Sequence, residues 1–194
     1  MLGLNGDKVI LFVGRIEPLK GIDRLLMAMT YLKEWPELRL LVIGGDEHSQ
    51  FELKRLKALS RDLPTRSSDS FLGSIAQKRL PLFYSAADIC VVPSYYESFG
   101  LVILESLACG TPVVTTNVGA ASNIIRPGEI GYLGADNTPR NLAQKIGLLL
   151  SCGKSGAEYA SSIRQSVLQF DWSIIAQAVI KEYASVLTSP CVPV

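Results

Sequence analysis

The sequence is short of charge and histidine and lacks a cysteine pair at metal-binding spacing, and these features argue against particular classes of function. Only 19% of its 194 residues are charged, and 19 basic and 18 acidic side chains nearly cancel to a formal net charge of +1. This balance argues against a general nucleic-acid or acidic-membrane binder. The single histidine, His48, and the lack of any Cys-x-x-Cys spacing among the four cysteines leave no common zinc motif.

Membrane and secretion signals are also missing from the sequence. No uninterrupted apolar run reaches the ~18 residues that a membrane-spanning helix needs. The first residues lack the basic stretch and the apolar core of a signal peptide. We therefore expect a cytoplasmic protein without a transmembrane segment, whose thiols stay reduced. Cys90 and Cys109 lie in apolar patterns and are expected to be small buried side chains rather than disulfide partners.

Hydrophobic residues, in contrast, are abundant and make up 48% of the chain. At about 100–200 residues per domain, the length predicts a single domain over residues 1–194. A chain of this size can bury enough surface to fold without a disulfide or a metal. The apolar excess indicates a sheet covered on both faces, or a surface made for a partner.

Short apolar, β-branched runs alternate along the chain with longer helical patterns. Strands are predicted at 9–13, 38–43, 89–92 and 112–116, with weaker ones at 70–72 and 132–133. Helices are predicted at 22–33, 48–62, 76–86, 100–109 and 139–151, and the tail over 157–188 reads as two helices broken near Asp171. The continuous hydrophobicity of the strands is typical of parallel sheets. The pattern predicts an α/β fold with a Rossmann-like, doubly wound parallel sheet of about six strands and helices on both faces.

Ligands of such sheets bind at the carboxyl ends of the strands, and the loop after the first strand carries two cations there. It runs from Gly14 to Gly21 and matches neither the dinucleotide fingerprint G-x-G-x-x-G nor the P-loop G-x-x-x-x-G-K-[ST]. The forked guanidinium of Arg15 and the compact ammonium of Lys20 suit a diphosphate. The alternative is that both are solvated loop cations.

The loop after the strand at 89–92 leads directly into a helix. Free backbone amides over 98–101 would form an anion site, and Gly100 lets a ligand approach the backbone closely. Glu97 precedes the helix and Glu105 lies within it. A carboxylate accepts two hydroxyl hydrogen bonds at once, which fits sugar or ribose diols. The alternatives are a dipole-stabilising acid for Glu97 and an exposed helix residue for Glu105, although the mostly apolar helix favours a partnered Glu105.

Two further loops sit at predicted strand ends. Gly119 follows the strand at 112–116 and precedes a short helix, a place from which a loop closes over a ligand. Ile75 follows the weak strand at 70–72 and is placed to face a base. Both positions also fit ordinary turns.

These residues resemble the retaining nucleotide-sugar glycosyltransferases of group one, which have the two-Rossmann-domain (GT-B) fold. The similarity extends from about residue 8 to 186 and is closest to sucrose-phosphate synthase-like and mycothiol-pathway enzymes. The motifs that carry it are Val13-Gly14-Arg15 with Lys20-Gly21, Ala87-Asp88 with Pro93-Ser94, Glu97-Ser98-Phe99-Gly100-Leu101 with Glu105, and the run from Ala108 to Val114. The family signature E-x7-E in its context is the most specific of these.

The resemblance implies a role for each matched position. Arg15 and Lys20 would bind the donor diphosphate and stabilise the leaving group, and Glu97 would contact hydroxyls of the transferred sugar. Glu105 would hold the nucleotide ribose. The other implied substrate-binding residues are Gly14, Ile75 at the base, Ser98, Phe99, Gly100 and Leu101 through backbone amides, and Gly119. One departure is that the family often has a glutamate at the position of Asn123.

The resemblance also implies partners and a mechanism. The donor would be a UDP- or GDP-linked sugar, a substrate rather than a cofactor, and the acceptor would bind to an N-terminal domain of the same parent chain. Transfer would be a same-face displacement in which the leaving phosphate helps to deprotonate the acceptor, chemistry that needs positioned cations more than a nucleophile. Because no Asp-x-Asp occurs, no metal is expected on the diphosphate.

This reading makes the chain the donor-binding half of a transferase. Alone, it is expected to bind a nucleotide sugar weakly and to lack transferase activity. The helix at 171–188 would reach toward the N-terminal domain, so without that domain we expect it to be mobile or to self-associate. The alternatives are half of a nucleotide-sugar epimerase and a stand-alone nucleotide-sugar-binding or protein-interaction module. The missing fingerprint disfavours an NAD-dependent dehydrogenase.

Overall fold

Six parallel strands form the sheet at the centre of the computed structural model, which describes residues 6–62 and 71–188. The strands are β1 (Lys8–Val13), β2 (Leu38–Ile43), β3 (Phe71–Gly73), β4 (Ile89–Val92), β5 (Val113–Thr116) and β6 (Gly131–Gly134). Their order in the sheet is β3-β2-β1-β4-β5-β6, and every pairing is parallel. The predicted α/β fold is confirmed. Ser70, the first residue of the weak predicted strand, lies outside the described residues.

Eight helices connect or follow the strands in the described part of the chain. They are α1 (Ile22–Met29), α2 (Gln50–Arg61), α3 (Leu80–Ala86), α4 (Leu101–Ala108), α5 (Ala121–Ile124), α6 (Pro139–Ser151), α7 (Ala157–Gln165) and α8 (Trp172–Thr188). The prediction over 22–33 is too long, because turns follow Met29 before the next strand. The prediction over 76–86 begins too early, because a 3₁₀ turn occupies Gln77–Arg79 and a proline opens α3.

Both faces of the sheet are buried, as the continuous apolar strands predict. Alternate residues of β1 such as Ile10 and Phe12 pack with α1, α2 and α6, whereas Val9 and Leu11 pack with α3, α4 and α7. Cys90 is buried in the second layer, and this burial raises the pKa of its thiol to about 12. Cys109 is partly buried against the same layer, less than predicted, and neither thiol forms a disulfide. Cys191 lies outside the described residues.

The central feature of the sheet is the reversal of strand order between β1 and β4. The chain moves outward from β1 to β3 on one side and then returns to β4 on the other. The loops after β1 and β4 therefore leave neighbouring strands in opposite directions and open a crevice at the carboxyl edge.

The last helix, α8, has almost no cover from the rest of the domain. From 172 to 187, every residue is exposed except Ile175, which is partly buried. Large apolar side chains are among the exposed ones: Trp172, Ile174, Val179, Ile180, Tyr183, Val186 and Leu187. Within the described residues, no helix is long and apolar enough to cross a membrane.

Candidate functional site

The loops after β1 and β4 are fastened to each other at the carboxyl edge of the sheet. The Tyr95 backbone amide donates to the Leu19 carbonyl over 2.9 Å. Gly21 packs so closely on the carbonyl of Pro93 that a Cβ there would lie 2.1 Å from its oxygen. Lys20 is consequently held directly over the β4 loop.

A charged cluster of Lys20, Glu97 and Ser94 joins these two loops. Lys20 Nζ donates to Glu97 Oε1 over 2.8 Å, and Ser94 Oγ donates to the same oxygen over 2.8 Å. The Lys20 and Glu97 side chains are only 13% and 17% exposed. Among the described residues no donor reaches Glu97 Oε2, so one oxygen of this carboxylate is available to a ligand.

Arg15 stands beside this cluster but is much more open to solvent. Its guanidinium lies 3.0 Å from Glu17 Oε1, and the side chain is 77% exposed. Such an exposed pair contributes little to stability, which leaves the arginine free to exchange its partner for an anion. The prediction of two cations above the end of β1 fits this placement.

Seven of the predicted site residues line one cavity of about 300 Å³: Arg15, Lys20, Glu97, Ser98, Phe99, Gly100 and Leu101. The backbone amides from Ser98 to Leu101 donate to no acceptor among the described residues. Gly100 caps the helix in the left-handed conformation and has no side chain to bind those amides. Unpaired amides at the start of α4 attract a negative charge.

Glu105 lies on α4 in an adjoining cavity of about 620 Å³, which shares Phe99 and Leu101 with the first. Its Oε2 accepts from the Tyr84 hydroxyl over 2.8 Å, and its Oε1 accepts from Gln77 Nε2 over 3.1 Å. Glu105 is therefore partnered, as expected for a carboxylate on a mostly apolar helix.

The remaining predicted residues lie around these cavities. Gly119 sits against the backbone of the β4 loop, where a Cβ would lie 2.6 Å from the Phe99 carbonyl oxygen. Gly14 lines a further cavity of about 480 Å³ between the ends of β1 and β2, which shares Arg15 and Glu17 with the first. Ile75 is partly buried against the core layer of α3 and α4. The structure thus brings Arg15, Lys20 and Glu97 to one cavity, and Ile75 is not among the residues that line it.

Sequence reasoning missed three polar partners of the two glutamates. Ser94 lies three residues before Glu97, a spacing that gives a local signal for a contact. Tyr84 and Gln77 lie 21 and 28 residues before Glu105, so only the packing of α3 on α4 brings them together. No three histidine, cysteine, aspartate or glutamate side chains in the described ranges are grouped as a metal site would need.

The contact of Gly21 with Pro93 gives a testable effect on stability. Gly21 has φ 64°, and Gly153 has φ 66° with no atom within 4 Å of its hypothetical Cβ. Alanine at either position adopts the left-handed region at a cost of ~1–2 kcal/mol, but only Gly21→Ala also clashes with backbone. We expect Gly21→Ala to lower the free energy of unfolding by at least about 2 kcal/mol more than Gly153→Ala. Denaturant unfolding measures the difference; equal losses would contradict it.

Comparisons with known proteins point to one family. The model for glycosyl transferases group 1 matches residues 2–166. The D-inositol 3-phosphate glycosyltransferase of Acidothermus cellulolyticus is 39% identical over 193 residues, covering 96% of this chain and 43% of that protein. Sucrose-phosphate synthase of Thermosynechococcus elongatus superposes with a TM-score of 0.82 at 33% identity, covering 96% of this chain and 47% of that chain.

A third comparison includes ligands. The Anabaena protein HepE, in complex with UDP and glucose, superposes with a TM-score of 0.82 at 27% identity, over 95% of this chain and half of its own. The chain spans less than half the length of the curated relative named above. Because the family model covers most of the sequence, the chain belongs to the group 1 glycosyl transferases.

Proposed function

We propose that this chain is the donor-binding half of a retaining glycosyltransferase, which moves a sugar from a nucleotide diphosphate sugar to an acceptor hydroxyl. The observation that carries the proposal is the single cavity where Arg15, Lys20, Glu97 and the free amides before α4 meet. Two cations, unpaired amides and a carboxylate with an available oxygen match the two halves of such a donor, its diphosphate and its sugar hydroxyls.

In this proposal the cations act on the diphosphate. The exposed Arg15 leaves Glu17 to bind phosphate oxygens, and Lys20 shares its charge between Glu97 and the donor. Their charge substitutes for a metal ion on the diphosphate. Glu97 uses its open Oε2 for the transferred sugar, and Glu105 accepts from the ribose hydroxyls.

Transfer then needs little covalent chemistry from the protein. The bond between the sugar and the diphosphate oxygen breaks, and a bond to the acceptor oxygen forms on the same face. The acceptor proton passes to the leaving phosphate. Charge grows on the diphosphate during this step, so Arg15 and Lys20 are placed to stabilise the transition state more than the ground state.

The acceptor would bind to a second domain of the parent chain. The length of the relatives supports this, since the chain spans only 43% of the inositol-phosphate transferase. The apolar side chains that α8 exposes also support it, because a helix over 171–188 that lies on a neighbouring domain buries such a face. The proposal keeps residues 1–194 as one donor domain, in the cytoplasm and without a nucleic-acid partner.

The donor half is tested by a thermal-shift panel of nucleotides and nucleotide sugars. We expect a UDP compound to raise the unfolding temperature, because HepE is solved with UDP and glucose and ligand binding stabilises the folded state. Ligand at 100 times its Kd adds about 2.7 kcal/mol to the free energy of unfolding. The same chain is expected to transfer no sugar. No shift with any nucleotide, or robust transfer by this chain alone, would contradict the proposal.

Other functions have less support. None of the three relatives named above is an epimerase. A stand-alone binding module would leave the exposed face of α8 without a role. Interconversion of sugar epimers by a full-length parent, with no sugar transfer, would favour the epimerase.

A further inference from the structure

Buried hydroxyl groups hold both glutamates of the candidate site. Ser94 Oγ donates to Glu97 Oε1 and the Tyr84 hydroxyl donates to Glu105 Oε2, each over 2.8 Å. Both donor residues are 1% exposed, whereas the two carboxylates line the cavities described above. Each hydroxyl therefore donates to its carboxylate from the buried interior, on the side away from the cavity.

The backbone of each donor is fixed by a second buried hydroxyl. Thr116 Oγ1 donates to the Ser94 carbonyl and Thr111 Oγ1 donates to the Tyr84 carbonyl, each over 2.6 Å. Thr116 ends β5 and Thr111 lies two residues before that strand begins, so one short segment of the chain supports both donors. Because these threonines are buried, water does not compete for the bonds.

The bonding pattern leaves capacity for a ligand on each carboxylate. Ser94 and Lys20 both use Oε1 of Glu97, which keeps Oε2 open. On Glu105 the buried donor takes Oε2, and the exposed Gln77 takes Oε1, so each oxygen retains a lone pair. Burial raises the pKa of Tyr84, and the Glu105 charge raises it further, so this hydroxyl remains a donor at neutral pH.

We propose that Ser94 and Tyr84 are positioning residues with separate tasks, Ser94 orienting Glu97 for the transferred sugar and Tyr84 orienting Glu105 for the ribose. The inference rests on the proposed function. The inference extends that function by assigning an effect on specificity to Ser94 and Tyr84, two buried residues that act through the carboxylates they bond. A group that orients a carboxylate changes the recognition of the hydroxyls on that carboxylate and of no others.

The test measures the affinity of the chain for UDP-glucose, UDP and 2′,3′-dideoxy-UDP by titration calorimetry. We expect Ser94→Ala to lower the affinity ratio of UDP-glucose to UDP about three- to tenfold, the size of one lost hydrogen bond, without changing the ratio of UDP to the dideoxy compound. Tyr84→Phe should lower the affinity ratio of UDP to the dideoxy compound by a similar factor, without changing the ratio of UDP-glucose to UDP. If Ser94 and Tyr84 had a purely structural role, each substitution would lower the affinity for all three ligands by the same factor and change neither ratio.

Matched controls remove a hydroxyl elsewhere. Tyr159→Phe deletes a buried hydroxyl that has no hydrogen-bond partner among the described residues, and Ser166→Ala deletes a partly buried hydroxyl that donates to the Ile163 carbonyl. Neither should change a ratio. Thr116→Val keeps the Ser94 hydroxyl but frees its backbone, so it should shift the sugar ratio in the direction of Ser94→Ala and by less.

The outcomes separate the two proposals. If the unchanged chain binds UDP and UDP-glucose but both ratios survive Ser94→Ala and Tyr84→Phe, the positioning roles are wrong and the donor function stands. If the unchanged chain binds neither ligand, the donor function and this inference fail together.

Discussion

Replacing Lys20 with methionine is expected to weaken UDP binding about 10- to 150-fold and to destabilise the domain. The binding loss corresponds to one charge-assisted contact of about 1.5–3 kcal/mol. The stability loss follows because the Glu97 carboxylate, only 17% exposed, would lose its cationic partner and have Ser94 as its remaining donor. Removing one partner from a buried ion pair costs ~3–5 kcal/mol. This pair retains some solvent contact, so we expect about 2 kcal/mol or more.

Three further variants isolate the cause of these losses. Lys8→Met breaks a more exposed pair with Asp88 at the opposite edge of the sheet, so it should cost at most about 1 kcal/mol and leave UDP binding unchanged. Adding Glu97→Gln to Lys20→Met should restore much of the stability and none of the binding. Arg15→Ala should weaken UDP binding while leaving stability intact, because the side chain is 77% exposed.

Calorimetry measures the affinities of these variants, and denaturant unfolding measures their stability. Unchanged UDP binding in both Arg15→Ala and Lys20→Met would refute the assignment of the diphosphate to these cations. A Lys8→Met variant that loses as much stability as Lys20→Met would show that burial of the Lys20 pair is not the reason for its effect.

The grouping of Arg15, Lys20 and Glu97 in one cavity was predictable because it follows from chain order. Arg15, Lys20 and Glu97 lie in the segments that follow two buried strands, and parallel strands bring their carboxyl ends to one edge. The sequence could not show that Lys20 and Glu97 pair with each other, since that contact depends on how closely Gly21 packs on Pro93.

Contacts between distant segments could not be predicted from the sequence either, because they too depend on how the segments pack. The bond from Tyr84 to Glu105 requires α3 and α4 to pack in one register, and neither helix encodes the other's rotation in its own pattern. Helix ends were also misplaced where local turns compete with the helix, as after Met29, because periodicity alone does not report the last hydrogen bond.

Helix α8 is expected to exchange its amide hydrogens far faster than the helices that pack on the sheet. It is 17 residues long, and an isolated helix of about this length is only marginally stable in water. Its described side chains are exposed apart from Ile175, so little tertiary packing supports it. The 13-residue α6, with four buried side chains, is the matched comparison because it opens only with larger parts of the fold. We expect protection in α6 to exceed that in α8 by at least about a hundredfold.

The dependence of hydrogen exchange on protein concentration then shows whether the apolar face of α8 is exposed to solvent or packed within the domain. The exposed apolar positions near the end of α8, such as Ile180, Tyr183 and Leu187, are available to a second copy when no other domain covers them. Raising the concentration should therefore slow exchange across 173–187 and increase the average mass in sedimentation. Ile180→Lys should abolish that concentration dependence without lowering the unfolding temperature, since the side chain is 65% exposed. A monomer with slow exchange across 173–187 at low concentration would show that the domain itself covers this helix, and the apolar face would no longer argue for a neighbouring domain.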